Sequence, residues 1–155
     1  MLIGVISDTH GLLRPEALAA LRRVAHILHA GDVGDPAILD ALRAVAPVTA
    51  IRGNIDRTGT CGQLPATEFV ELGGYNIYML HNLAELDLDP AAAGISLVIS
   101  GHSHQPKIER RKGVLYFNPG SAGPRRFSLP VSLGLLEITD SAITPKLVDL
   151  STAAD

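Results

Sequence analysis

The chain of 155 residues is short of the features that mark several special classes of protein. It holds one cysteine, Cys61, which excludes an internal disulfide framework and fits a reducing, cytoplasmic setting. Positive charge is not in excess: the formal net charge is -3, and Arg110-Arg111-Lys112 is the only basic block. That leaves no electrostatic footprint for duplex nucleic acid or for an anionic membrane. Long apolar runs are missing too. Leu2–Ile6 is far too short for a membrane span and lacks the basic flank of a signal peptide. No internal repeat, low-complexity tract or linker interrupts the chain. What remains, 46% hydrophobic and 19% charged residues, is the composition of one globular domain over 1–155.

Leu2–Ile6 reads as a strand buried on both faces, because its apolar run is continuous rather than alternating. Pro15 opens a helix in which Ala17, Leu18, Leu21, Val24 and Ala25 recur at helical spacing. Ile27-Leu28 marks a second strand. Asp35-Pro36 caps a second helix, whose inner stripe is Ile38, Ala41, Leu42, Val45 and Ala46. With a third strand at 48–51, this βαβαβ start predicts a parallel sheet with right-handed crossovers. Hairpins dominate the rest: 68–72 with 75–80 across Gly73-Gly74, Ile108-Glu109 with 114–117, and 131–138 with 143–150. An apolar strand at 95–100 stands among them. The expected fold is α/β, two packed mixed sheets with helices on the outer faces. The Gly/Pro-rich stretches 59–65 and 120–130 are expected to be mobile loops.

Chemistry collects at the strand ends. The first strand runs into Asp8-Thr9-His10, where alternation would set Asp8 and His10 on one side. The second ends in Gly31-Asp32, the third in Gly53-Asn54, the hairpin strand in His81, and the later apolar strand in Gly101-His102-Ser103-His104. Ligands of open α/β sheets bind at the carboxyl ends of strands. Asp8, His10, Asp32, Asn54, His81, His102 and His104 are too many for one tetrahedral zinc site, and none is a thiolate. They suit two adjacent divalent ions sharing a carboxylate, with Mn first and Fe, Zn, Co or Ni as its alternatives, all favoured over Ca or Mg. Four of the six histidines lie in these motifs, which disfavours a chance scatter of polar strand ends.

These motifs, in this order, resemble the calcineurin-like metallophosphoesterase superfamily. The Ser7-Asp8-Thr9-His10-Gly11 start, the short length and Asn118-Pro119-Gly120-Ser121 are similar to its small YfcE-type phosphodiesterase branch. The resemblance implies a four-layer αββα sandwich. It implies that Asp8, His10, Asp32 and His104 hold one metal, and Asp32, Asn54, His81 and His102 a second. It also implies a metal-dependent phosphodiesterase acting on small or nucleotide-like esters. Two ions about 3.5–4 Å apart activate a bridging hydroxide, so no protein nucleophile is required. Cys61 and Ser121 are then not nucleophiles, and Ser121 is expected to complete a polar turn near the site.

Two departures from the family pattern bear on the substrate. Many larger relatives carry a histidine after the motif asparagine, where it can protonate the leaving group; here Ile55 stands there, followed by Asp56. Activated diesters are therefore expected to be better substrates than esters with poor leaving groups. Asp56 is a candidate to supply the proton or orient a ligand. Relatives commonly read His-Gly-His where this chain reads His81-Asn82-Leu83, which alters substrate contact. Arg125 or Arg126 is a candidate phosphate clamp, and His29 a candidate support for Asp32. Two other readings stand beside the phosphodiesterase: a metal-bearing interaction scaffold of the same fold, as in a retromer subunit, and a phosphomonoesterase. Edge strands and the final hairpin leave room for a homo-oligomer.

Overall fold

A computed structural model of the chain describes residues 1–150. Its first sheet contains β1 (Leu2–Ile6), β2 (His26–His29), β3 (Val48–Ala50), β9 (Ser132–Ile138) and β10 (Ile143–Asp149), in the spatial order β10-β9-β1-β2-β3. β1, β2 and β3 are parallel, and the final hairpin adds antiparallel to β1. The second sheet contains β4 (Thr67–Leu72), β5 (Tyr75–Leu80), β6 (Leu97–Ile99), β7 (Lys107–Arg111) and β8 (Val114–Asn118), ordered β4-β5-β6-β8-β7. In it β5, β6 and β8 run parallel, and β4 and β7 pair antiparallel at the two edges.

The sheets face each other across one apolar layer. Ile3, Val5 and Leu28 of the first pack with Ile77, Met79, Leu97, Ile99 and Phe117 of the second. Alternation turns the intervening residues Ile6 and Ile27 outward, against α1 (Pro15–Leu21) and α2 (Pro36–Arg43). Both helices begin with proline, whose missing N–H costs nothing in the first turn. Asp35 caps α2, its Oδ1 accepting from Ala37 N–H at 2.9 Å. The expected stripes outrun the helices: Val24 and Ala25 follow the end of α1, and Val45 and Ala46 follow α2, yet Val24 and Ala46 still pack into the same core.

The stretch 59–65 is not wholly loop. It contains the single turn α3 (Gly59–Gly62), which buries Cys61 against the helices' core. The outer face of the second sheet is covered lightly, by a 3₁₀ turn at Leu83–Glu85 and the apolar side chains around it. Among the described residues no helix is long and apolar enough to cross a membrane.

Candidate metal centre

The loops leaving β1 and β2 are laced together backbone to backbone. Asp8 N–H donates to the Gly31 carbonyl at 3.0 Å, His10 N–H to that of Asp32 at 2.9 Å, and Gly11 N–H to that of Val33 at 2.9 Å. Buried side chains complete the lacing. Thr9 Oγ1 donates to the Val33 carbonyl at 2.9 Å, so the 3.0 Å bond between Thr9 and His29 is donated by His29 Nε2–H. His29 Nδ1 in turn accepts from Gly31 N–H at 3.1 Å. Burial pushes this imidazole down to about 4, and its two bonds suit the neutral ring. His29 thus braces the loops rather than touching the Asp32 carboxylate.

Asp8 and His10 do converge, but not by the pleat of a strand. β1 ends at Ile6, and Asp8 (φ 56°) and His10 (φ 46°) both adopt the left-handed conformation. Asp32, His102 and His104 do the same, at 57°, 71° and 61°. These are positions where an L residue is strained, and they cluster at this rim. Glycine supplies the close approach between loops. A Cβ on Gly53 would strike the Asp32 carboxylate, and one on Gly31 would lie 2.7 Å from His81 Nδ1.

Asp8 is fully buried, and its two oxygens differ. Oδ2 accepts from Ser7 Oγ at 2.6 Å and from His102 N–H at 3.1 Å. Oδ1 has no hydrogen-bond partner and faces His104 Nε2 at 3.2 Å, His10 Nε2 at 3.5 Å and His81 Nε2 at 3.8 Å. Burial alone would raise the Asp8 carboxyl. The neighbouring His10 and His104 rings, then Ser7, outweigh it and hold the group far below the ordinary carboxylate range.

Asp32 repeats the pattern. Oδ1 accepts from Ile55 N–H at 3.0 Å, while Oδ2 faces His81 Nε2 at 3.2 Å and His10 Nε2 at 3.4 Å. Burial raises its carboxyl, but His81 and then the Ile55 N–H lower it further than burial lifts it. His81 is oriented by a bond from Nδ1–H to the Ala30 carbonyl at 2.7 Å, which leaves Nε2 bare toward the carboxylates. Asn54 closes this half. Its Oδ1 lies 3.1 Å from Asp32 Oδ2, 3.1 Å from His81 Nε2 and 3.2 Å from His102 Nδ1.

Two sets of ligand-type atoms result. Asp8, His10 and His104 form one within a 4.8 Å span, and Asp8, Asp32 and His81 form another, with Asn54 and His102 beside it. The histidines form two separate pairs: His10 lies 5.2 Å from His104 with the rings tilted, and His81 5.3 Å from His102 edge to face, ring centre to ring centre. Asp8 Oδ1 and His10 Nε2 are buried without a hydrogen-bond partner. Buried ligand-type atoms of this kind are seldom left unpaired, and a divalent cation between them would satisfy both. The residues present fit a metal.

The other expected residues fall elsewhere. Asp56 is not free to supply a proton: its Oδ2 accepts from Val33 and Gly53 N–H at 3.0 and 2.9 Å, and its Oδ1 from Gly34 N–H at 3.1 Å. A carboxylate so held ties the Asp32 loop to the Asn54 loop. Arg125 and Arg126 stand exposed, and neither lines the grooves that flank His102. Ser121 does complete a turn, its Oγ accepting from Gly123 N–H at 3.4 Å, and it also donates from Oγ to the Asp8 carbonyl at 3.0 Å. Cys61 is buried and its thiol is raised by that burial, which makes it inert. Ser7 was not foreseen as the anchor of Asp8. Asn118 was not foreseen either; its Nδ2 donates to the Gly101 carbonyl at 3.0 Å and to Ser103 Oγ at 3.1 Å, steadying the His102–His104 loop.

Two mixed sheets packed face to face, with carboxylates and imidazoles crowded at one rim, define a phosphoesterase-type sandwich with a candidate metal site. The calcineurin-like phosphoesterase superfamily domain matches residues 1–141, and the chain belongs to that family, whose members use divalent metals. It is 35% identical over 160 residues to a probable metallophosphoesterase of Methanothermobacter thermautotrophicus, covering 96% of this chain and 92% of that one. Wild-type Vps29 of Entamoeba histolytica, solved with Zn²⁺, is 25% identical with TM-score 0.75, over 97% of this chain and 99% of that one. A structurally characterised archaeal phosphodiesterase has the same fold, with TM-score 0.80 at 22% identity over 96% and 100%.

Proposed function

We propose that the protein is a metal-dependent phosphodiesterase acting on small or nucleotide-like esters. One observation carries the reading: the unpaired Asp8 oxygen, the Asp32 oxygen and the Nε2 atoms of His10, His81 and His104 converge on two adjoining positions. Asp8, His10, Asp32 and His104 would hold one ion, and Asp32, Asn54, His81 and His102 a second, with Mn²⁺ favoured. When bound, the ions would polarise the phosphoryl oxygens and activate water.

The chain's own contribution is orientation. Ser7 and the His102 N–H fix one oxygen of Asp8 and leave the other for a ligand. The Ala30 carbonyl fixes the His81 ring, and the Ile55 N–H fixes Asp32. Such bracing keeps the ligands in place before the metal arrives.

No side chain at position 55 returns a proton to the leaving group, because Ile55 is apolar and Asp56 is held by three N–H groups. Good leaving groups therefore suit this site best, and aryl diesters are the substrates of choice for assay. The same absence disfavours the phosphomonoesterase. The single buried thiol of Cys61 supports a reducing, cytoplasmic setting.

The scaffold reading draws on the likeness to Vps29, and Phe127, 94% exposed, is the side chain that favours it. The ligand cluster outweighs it. The deciding experiment is elemental analysis of the purified protein with aryl-diester turnover measured with and without Mn²⁺. Two metals per chain and metal-dependent turnover are expected. Metal without turnover would return the scaffold, and no metal after reconstitution would overturn the reading.

A further inference from the structure

Two grooves meet at His102 and Asn82, which line both. One, of about 480 Å³, holds Asn54 and His81 and so belongs to the candidate metal centre. The other, of about 430 Å³, leads away along the lightly covered outer face of the second sheet, lined by Leu83, Tyr116, Asn118 and β7. Strand alternation puts Lys107, Glu109 and Arg111 on the same side of β7, and all three line this groove. Tyr116 is the β8 partner of Glu109.

The charges on that wall are pre-set for an anion. Glu109 Oε2 lies 3.2 Å from Lys107 Nζ and 3.0 Å from Arg111 Nη2, and the Arg111 guanidinium stacks 4.7 Å over the Tyr116 ring. One carboxylate oxygen thus holds two cations, and the wall is net positive in a chain whose formal charge is -3. Exposed pairs of this kind add little stability. Positive charge on an edge strand also discourages strand pairing, but that role does not require a groove continuous with His102.

We propose that this groove is the subsite for the non-reacting arm of a phosphodiester, and that it takes an arm bearing a second phosphate, held by Lys107 and Arg111. The assignment rests on the phosphodiesterase reading. A diester phosphorus carries two substituents, and two grooves sharing His102 give each a place, where a monoester would leave one empty. Lys107 Nζ and Arg111 Nη2 both lie against one Glu109 oxygen, so the two cations form a single anion position at the far end of the groove from His102. Arginine matches such a group with two parallel N–H bonds.

The test is titration of adenosine 3′,5′-bisphosphate, AMP and inorganic phosphate into the protein loaded with diamagnetic Zn²⁺, followed by backbone amide NMR. The bisphosphate is expected to shift amides of β7 and β8 and to bind at least about fivefold more tightly than AMP. Lys107→Ala with Arg111→Ala should abolish that preference. Glu109→Gln frees both cations and should tighten bisphosphate binding a few-fold, a sign that loss of structure would not give. Unmoved β7 amides, or no preference for the bisphosphate, would overturn the subsite. Turnover of bis(4-nitrophenyl) phosphate by the Mn²⁺-loaded wild-type protein tests the phosphodiesterase reading separately. Turnover without bisphosphate binding removes only the subsite. Bisphosphate binding without turnover removes the diesterase reading, and with it the assignment to a substrate arm.

Discussion

Asp32 Oδ2 stands 3.2 Å from His81 Nε2, and the same oxygen is 3.4 Å from His10 Nε2 on the other side. One carboxylate oxygen is therefore common to both histidine pairs, while its partner oxygen is held by the Ile55 N–H. On the proposed two-metal reading, Asp32→Asn should weaken both ions at once, and metal content should fall at both positions together. Elemental analysis after dialysis against Mn²⁺ checks this. Full occupancy of both positions in the variant would contradict a shared ligand.

Ser7 acts on metal through Asp8. Ser7→Ala removes the 2.6 Å bond to Oδ2 and leaves the ligand oxygen itself intact. Mn²⁺ affinity, read by calorimetry, should fall about 10-fold or more, as is usual when a ligand loses its outer hydrogen bond. Unchanged affinity would mean that the His102 N–H alone positions Asp8.

Asp56 is a structural acid, so its loss should appear in stability before it appears in proton transfer. Asp56→Ala leaves three N–H groups without their acceptor. A loss of roughly 3 kcal/mol in denaturant unfolding is expected, with the pH profile of any residual turnover unmoved. A fully stable variant with an altered pH profile would restore Asp56 as a proton donor.

His29 predicts acid sensitivity in the metal-free protein. Its folded value lies near 4 against an ordinary 6.5, because burial disfavours the charged ring. A group depressed in this way contributes its full stability above 6.5. As pH falls from 6.5 toward 4, the unfolded chain takes up a proton that the folded one refuses, and stability is lost. His81 is raised, which gives the opposite sign: its contribution is present below 6.5 and is lost as pH climbs through its folded value. Asp8 and Asp32 are lowered, so their contributions fade only below about pH 4. Comparing wild type with His29→Gln cancels these other groups. Wild type should lose about 2 kcal/mol more than the variant between pH 7.5 and pH 5. Equal losses would contradict a neutral, buried His29.

The ligand-type side chains gathered at the rim could all be named from the chain, because each one follows an apolar strand and a rim gathers strand ends. How they converge could not. Asp8 and His10 meet through left-handed backbone, which no alternation rule anticipates, and Asp32 is oriented by an amide of residue 55. The hairpins were readable from local turn chemistry such as Gly73-Gly74. The placement of β9 beside β1 was not, since that pairing joins Leu2 to Glu137 and depends on packing between distant segments. The same holds for Lys107 and Arg111. Their alternation is local, but their place beside His102 depends on β8 lying next to β6. Asp56 misled for the opposite reason: an acid beside a ligand motif looks chemical until its three amide partners are seen.

Asp8, His10, Asp32, His102 and His104 all hold positive φ, at roughly 1 kcal/mol each for a side chain in that region. Set against a net folding stability of roughly 5–15 kcal/mol for a typical domain, that sum is large. Glycine at any of the five would relax the backbone and erase a donor, so thermal robustness and metal chemistry pull these positions in opposite directions. Selection for heat resistance alone should therefore erode the rim first, and a stabilised descendant that has lost metal is the outcome to expect from it.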